Sequence, residues 1–121
     1  MKYKSIIRST FKNLVGYNNP ISGSSGGGAL QIVEQDVMKD PTNFLVISGS
    51  QFINNYNVNG GAISLTNVGN ATIKDGTLFQ GNYVDQAGGA LFFYCSDYGL
   101  DFSKCSLCIE SSIFVNNTAQ I

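Results

Sequence analysis

The sequence predicts an all-β fold, a parallel β-helix of about three to four coils, and three observations predict it. Two short motifs, Ser/Thr-x-Phe-x-x-Asn and then Gly-Gly-Ala followed by Ile or Leu, recur in that order along the chain. Apolar residues flanking them alternate in steps of two. Phe-to-Gly spacing within the motif pair is 16 in the first copy and 8 and 9 in the later ones, and successive Phe residues lie 41, 27 and 35 positions apart, as expected for loops of unequal length inserted into a common unit.

Taken in order, residues Lys2 to Phe11 set Ile7, Ser9 and Phe11 in alternate positions, which suits a half-buried strand better than a helix. This is a worn first copy: Ser9-x-Phe11 is present, Leu14 stands where Asn is expected, and Gly27-Gly28-Ala29-Leu30 follows only after a turn-rich stretch, Gly16 to Ser25. The stretch Glu34 to Asn43, with Asp40-Pro41, reads as a loop, and Phe44 to Ile47 as a strand leading into the second copy. That copy is complete, with Ser50, Phe52 and Asn55, then Gly60, Gly61, Ala62 and Ile63. A strand at Ala71 to Lys74 introduces the third, with Thr77, Phe79, Asn82, Gly88, Gly89, Ala90 and Leu91. After a loop through Asp97 to Lys104, a strand near Leu107 to Glu110 introduces the last, with Ser112, Phe114 and Asn117. The coils so drawn are residues 3–43, 44–70, 71–104 and an incomplete 105–121, one segment over residues 1–121. Three short strands per coil are expected.

Stacking such coils roughly 4.8 Å apart pairs each strand with its counterpart above and below and sets equivalent side chains in columns. The expected inward columns are Phe11, Phe52, Phe79 and Phe114; Leu30, Ile63 and Leu91; and Ile32, Leu65 and Phe93. Each hydroxyl residue two before a Phe should share its face. The glycine pairs supply φ > 0 and close approach between coils. Asn tolerates left-handed backbone and bonds its own turn, so Asn55, Asn82 and Asn117 are expected to stack as an amide ladder.

These residues carry a resemblance. Phe-x-x-Asn followed by Gly-Gly-Ala-[Ile/Leu/Val] resembles the polymorphic outer membrane protein repeat of chlamydial surface adhesins, also similar to repeats in large protist surface proteins, and Phe114-Val-Asn-Asn-Thr-Ala119 matches it closely. Two full motif pairs and two partial ones cover most of residues 5 to 119; Leu14 and the Gly16 to Ser25 insertion depart from the pattern. The resemblance implies a right-handed parallel β-helix with a pectin lyase-like fold, a cell-surface or secreted location, and adhesion or scaffolding. It brings no catalytic residues and no cofactor.

Composition narrows the function classes. The 121 residues are only 12% charged with a formal net charge of −1, and seven Lys and Arg make no basic face for nucleic acid. At 43% hydrophobic, the chain is far from the composition of disorder. No apolar run reaches the length of a secretory h-region or of a membrane helix, so no signal peptide is visible and no membrane insertion is expected. Neither end reads as a polar cap. The chain is therefore expected to be a fragment of a longer helix, whose partners are neighbouring coils or further copies of itself, with a glycan or protein receptor as ligand.

Candidate sites are few. Cys95, Cys105 and Cys108 are the only cysteines, and three readings stand: a loop-clamping disulfide of Cys95 with Cys105 or Cys108, free thiols, or metal or redox chemistry at Cys105-x-x-Cys108. The last would need a carboxylate such as Asp97 or Asp101, or another chain, because there is no His. Asn70-Ala-Thr72 and Asn116-Asn-Thr118 are glycosylation sequons. Phe92 and Tyr94 should face outward, packed under the Asp97 to Lys104 loop or exposed as a platform for a sugar or partner. Arg8 is the sole Arg, and Asp75, Asp85, Asp97 and Asp101 show no paired spacing of the kind a pectate-lyase-like enzyme uses. The expectation is a non-enzymatic module, with a carbohydrate-binding or carbohydrate-active β-helix as the alternative.

Overall fold

Residues 3–16, 28–33, 44–95 and 105–120 are described by a computed structural model. Gly27 and most of the stretch from Gly16 to Ser25, together with the loops at Glu34 to Asn43 and Asp97 to Lys104, lie outside them.

The described chain is all-β, built from fourteen short strands in four sheets whose pairings are all parallel. The first sheet holds β1 (Tyr3–Ile7), β4 (Phe44–Ser48), β8 (Asn70–Lys74) and β12 (Ser106–Ile109). The second holds β2 (Thr10–Lys12), β5 (Gln51–Ile53), β9 (Leu78–Gln80) and β13 (Ile113–Val115). In the third, β6 (Tyr56–Asn59), β10 (Tyr83–Ala87) and β14 (Thr118–Ala119) pair, and Val15 adds a single bridge to Tyr56. The fourth holds β3 (Leu30–Val33), β7 (Ile63–Thr66) and β11 (Leu91–Tyr94). Each passage of the chain thus visits the four sheets in turn and returns one strand higher, forming a tier.

Register places like on like. Phe11 pairs with Phe52, Phe52 with Phe79 and Phe79 with Phe114. Their rings stack with centroids 4.9, 5.0 and 4.6 Å apart. Leu30, Ile63 and Leu91 form a second column, and Ile32, Leu65 and Phe93 a third. The first sheet adds a column that the motifs do not mark, Ile6 with Ile47 and Ile73. The buried core gathers Leu45, Ile47, Ile73, Phe52, Phe79, Ile63 and Leu65 from three of the sheets.

Three expectations are corrected. A tier has four strands where three were expected, because the four residues between Asn55 and Gly60 are themselves a strand, β6. This strand is only half apolar: Asn57 is fully buried, so burial does not track hydrophobicity there. Next, Lys2 to Phe11 is not one strand. Arg8 adopts φ 48°, breaking the alternation between β1 and β2, so Ile6 packs against the core while Ile7 is 55% exposed. Finally, the left-handed residue of the turn is not the ladder Asn but the one before it: Asn13, Asn54, Gly81 and Asn116, with φ from 54° to 65°.

The glycine pair divides its work. Gly60 and Gly88 take φ 61° and 74°, where a side chain strains the backbone. Their partners take no such angle; a methyl on Gly61 would instead fall on the Gly89 carbonyl, so close approach between tiers demands a bare backbone.

Candidate functional site

Between the second and third sheets every corner has two residues, and the second of them heads a polar ladder inside the molecule. Asn55 and Asn82 are buried. Asn82 Nδ2 donates to the Phe52 carbonyl at 3.0 Å and to Asn117 Oδ1 at 2.8 Å, while Asn82 Oδ1 accepts from both the backbone N–H and the Nδ2 of Asn55, each at 3.0 Å. Asn117 Nδ2 donates to the Phe79 carbonyl and Asn55 Nδ2 to the Phe11 carbonyl. Leu14 ends the ladder: its N–H still reaches Asn55 Oδ1 at 3.0 Å, but its side chain offers nothing further.

A shorter hydroxyl ladder runs beside it. Ser9 N–H donates to Ser50 Oγ and Ser50 N–H to Thr77 Oγ1, while Thr77 Oγ1 donates to the Lys74 carbonyl. Both ladders satisfy corner N–H groups that would otherwise be buried without partners. Their chemistry is that of backbone support, with no acid, base or nucleophile.

On the outer face of the third sheet Tyr56 and Tyr83 stack at 5.5 Å. Tyr56 donates its phenol to Asp85 Oδ2 at 2.5 Å, and Tyr83 donates to Gln120 Oε1. The Tyr56 phenol is held above its ordinary value, first by this hydrogen bond, then by partial loss of water and by the negative charge of Asp85. The motif reading passed over this cluster. Its signal was nevertheless present, since each Tyr directly follows a ladder Asn.

The remaining sequence candidates are scattered. Cys95, just after β11, is bonded to Cys105, just before β12, with Cα atoms 6.1 Å apart; Cys108 is free and exposed on β12. Cys105-x-x-Cys108 is therefore not a dithiol pair. Asn70 opens β8, a central strand, and is half-buried, whereas Asn116 is exposed at a left-handed corner position. The Phe92 and Tyr94 rings lie 6.5 Å apart, with Tyr94 exposed. Asp75 accepts from Ser48 Oγ at 2.6 Å; Asp97 and Asp101 lie outside the described residues. Among the described residues no three His, Cys, Asp or Glu side chains converge, and no helix is long and apolar enough to cross a membrane.

Set against known protein families, curated proteins and solved structures, the chain matches none of them.

Proposed function

We propose that the chain is a segment of a right-handed parallel β-helix and acts as a non-enzymatic structural or adhesive module at a cell surface or in secretion. The observation that carries this reading is the like-on-like register: rings, aliphatic side chains and amides each repeat at one-strand intervals through four parallel sheets. A strand that returns to its own sheet in parallel does so by a right-handed crossover in nearly all known cases. The motif resemblance supports the surface role, and so does the ladder chemistry, which spends its polar groups on the backbone. Its partners on this reading are further coils and a glycan or protein receptor, with neither nucleic acid nor lipid bilayer.

The rival reading, a carbohydrate-binding or carbohydrate-active β-helix, gains one observation, the half-buried Tyr56 and Tyr83 stacked beside the exposed Asp85. Beads coated with the chain should adhere to cells, while polysaccharides incubated with it keep their length. Depolymerisation that vanishes in Asp85→Ala would replace the first reading with the second.

A further inference from the structure

We propose that Tyr56 and Tyr83 form a site of oxidative cross-linking: with hydrogen peroxide and a haem peroxidase as oxidant, their rings join through a carbon–carbon bond that staples two consecutive tiers. This rests on the stacked tiers and not on the adhesive role, so the two can fail separately.

Register builds the pair. Tyr56 on β6 and Tyr83 on β10 are direct partners in parallel strands, so their side chains leave the outer face of the sheet one strand spacing apart. The rings stack with centroids 5.5 Å apart and planes 14° from parallel. The Phe column stacks as closely, but it carries no phenol, and Phe52 and Phe79 are fully buried. Tyr56 and Tyr83 are half-buried, which leaves part of each ring open to an electron acceptor. The pair occupies the two middle tiers, with Val15 paired below Tyr56 and Thr118 paired above Tyr83.

A proton acceptor is aimed at one of the two rings. Between Val84 and Ala87 strand β10 carries one residue more than the facing stretch of β6, and Asp85 sits in that bulge. Its Oδ2 accepts the Tyr56 hydroxyl at 2.5 Å, diagonally across the tiers. Tyr83 donates instead to Gln120 Oε1, a neutral amide oxygen that takes no proton. A phenol that loses an electron becomes a strong acid, so oxidation is easiest where a base already holds the proton. Tyr56 is therefore the ring that gives up the first electron.

The chemistry balances on these groups. One oxidising equivalent takes an electron from Tyr56 while its proton passes to Asp85 Oδ2 and from there to water. A second takes an electron from Tyr83, whose proton goes to water directly. The two radicals couple between ring carbons ortho to the oxygens. Each of those carbons then loses its hydrogen as a proton, each oxygen regains one, and both rings recover aromaticity. In sum the chain loses two hydrogen atoms and one peroxide becomes two waters.

The test treats the dilute 121-residue chain, with the Cys108 thiol capped by alkylation, with a haem peroxidase and one equivalent of hydrogen peroxide. The expected product is a monomer lighter by two hydrogens, with dityrosine fluorescence, a digest in which Tyr56 is linked to Tyr83, and a higher melting temperature. Tyr83→Phe keeps a stacked ring and should abolish the link. Asp85→Asn keeps an oxygen acceptor for the Tyr56 hydroxyl but removes the base, so the rate of linkage should fall about tenfold or more. The competitor is Tyr94, which is 51% exposed but stacks on Phe92. No dityrosine overturns the proposal, as do links between chains or through Tyr94 in place of the Tyr56 to Tyr83 link, or equal rates in wild type and Asp85→Asn.

Discussion

Replacing Asn82 with Leu keeps the number and branching of side-chain heavy atoms and removes four hydrogen bonds at a fully buried position. The Asn55 N–H, one hydrogen of Asn55 Nδ2 and the Phe52 carbonyl each lose a partner inside the molecule. At about 1–3 kcal/mol for each buried group left unpaired, and with some relaxation, the loss should be about 3–5 kcal/mol. A domain of this length is stable by about 6–18 kcal/mol, so the variant should still fold but melt far earlier. Asn117→Leu removes the same chemistry at the half-exposed end of the ladder, where water replaces part of it, and should cost about 1–2 kcal/mol. Urea unfolding followed by circular dichroism gives both values. A cost below about 1 kcal/mol for Asn82→Leu, or no difference between the two variants, would refute the claim that buried amides hold the corners.

Other outcomes follow from the same geometry. Gly61→Ala meets the Gly89 carbonyl and should cost more than about 2 kcal/mol, whereas Gly76→Ala, with φ 73° but open space around it, should cost about 1 kcal/mol; thermal melts rank the two. Alkylation without reductant should label Cys108 alone, with all three cysteines labelled after reduction. Opening the Cys95 to Cys105 link, which spans 10 positions, should remove about 3 kcal/mol. The Tyr56 phenol should ionise later than a free tyrosine in an alkaline absorbance titration and return toward the ordinary value of about 10 in Asp85→Ala. Because its folded-state value is raised, this contact contributes fully below about pH 10 and is lost as pH rises through the raised value. The melting gap between wild type and Asp85→Ala should accordingly close at high pH.

Much of this architecture is legible in the residues themselves, because the groups that meet are the groups that recur. Phe52 and Phe79 announce their stack by sharing a motif position, and Asn55 and Asn82 announce their ladder in the same way. What escapes is whatever the motif does not contain. The strand Tyr56–Asn59 lies between the two motifs and buries an Asn on its inner side, so neither repetition nor hydrophobic alternation marks it. Ile6 and Ile7 are chemically alike, and only the turn at Arg8 decides which of them faces the core.

The corners also differ in how much they allow. Two residues separate the second sheet from the third in every tier, as at Asn54 and Asn55 or at Gly81 and Asn82, and two or three separate the first sheet from the second. Entering the fourth sheet takes three residues in two tiers but fourteen between Val15 and Leu30; leaving it takes three between Thr66 and Asn70, ten between Val33 and Phe44, and eleven between Tyr94 and Ser106. The ladders explain the asymmetry. The corner that threads its amide through the interior keeps its length in every tier, the hydroxyl corner varies by a single residue, and a corner without such a thread can lengthen while the columns hold register. One flank of the molecule is therefore a fixed spine. The other, framing the sheet of β3, β7 and β11, is where new surface can be added without refolding what lies beneath.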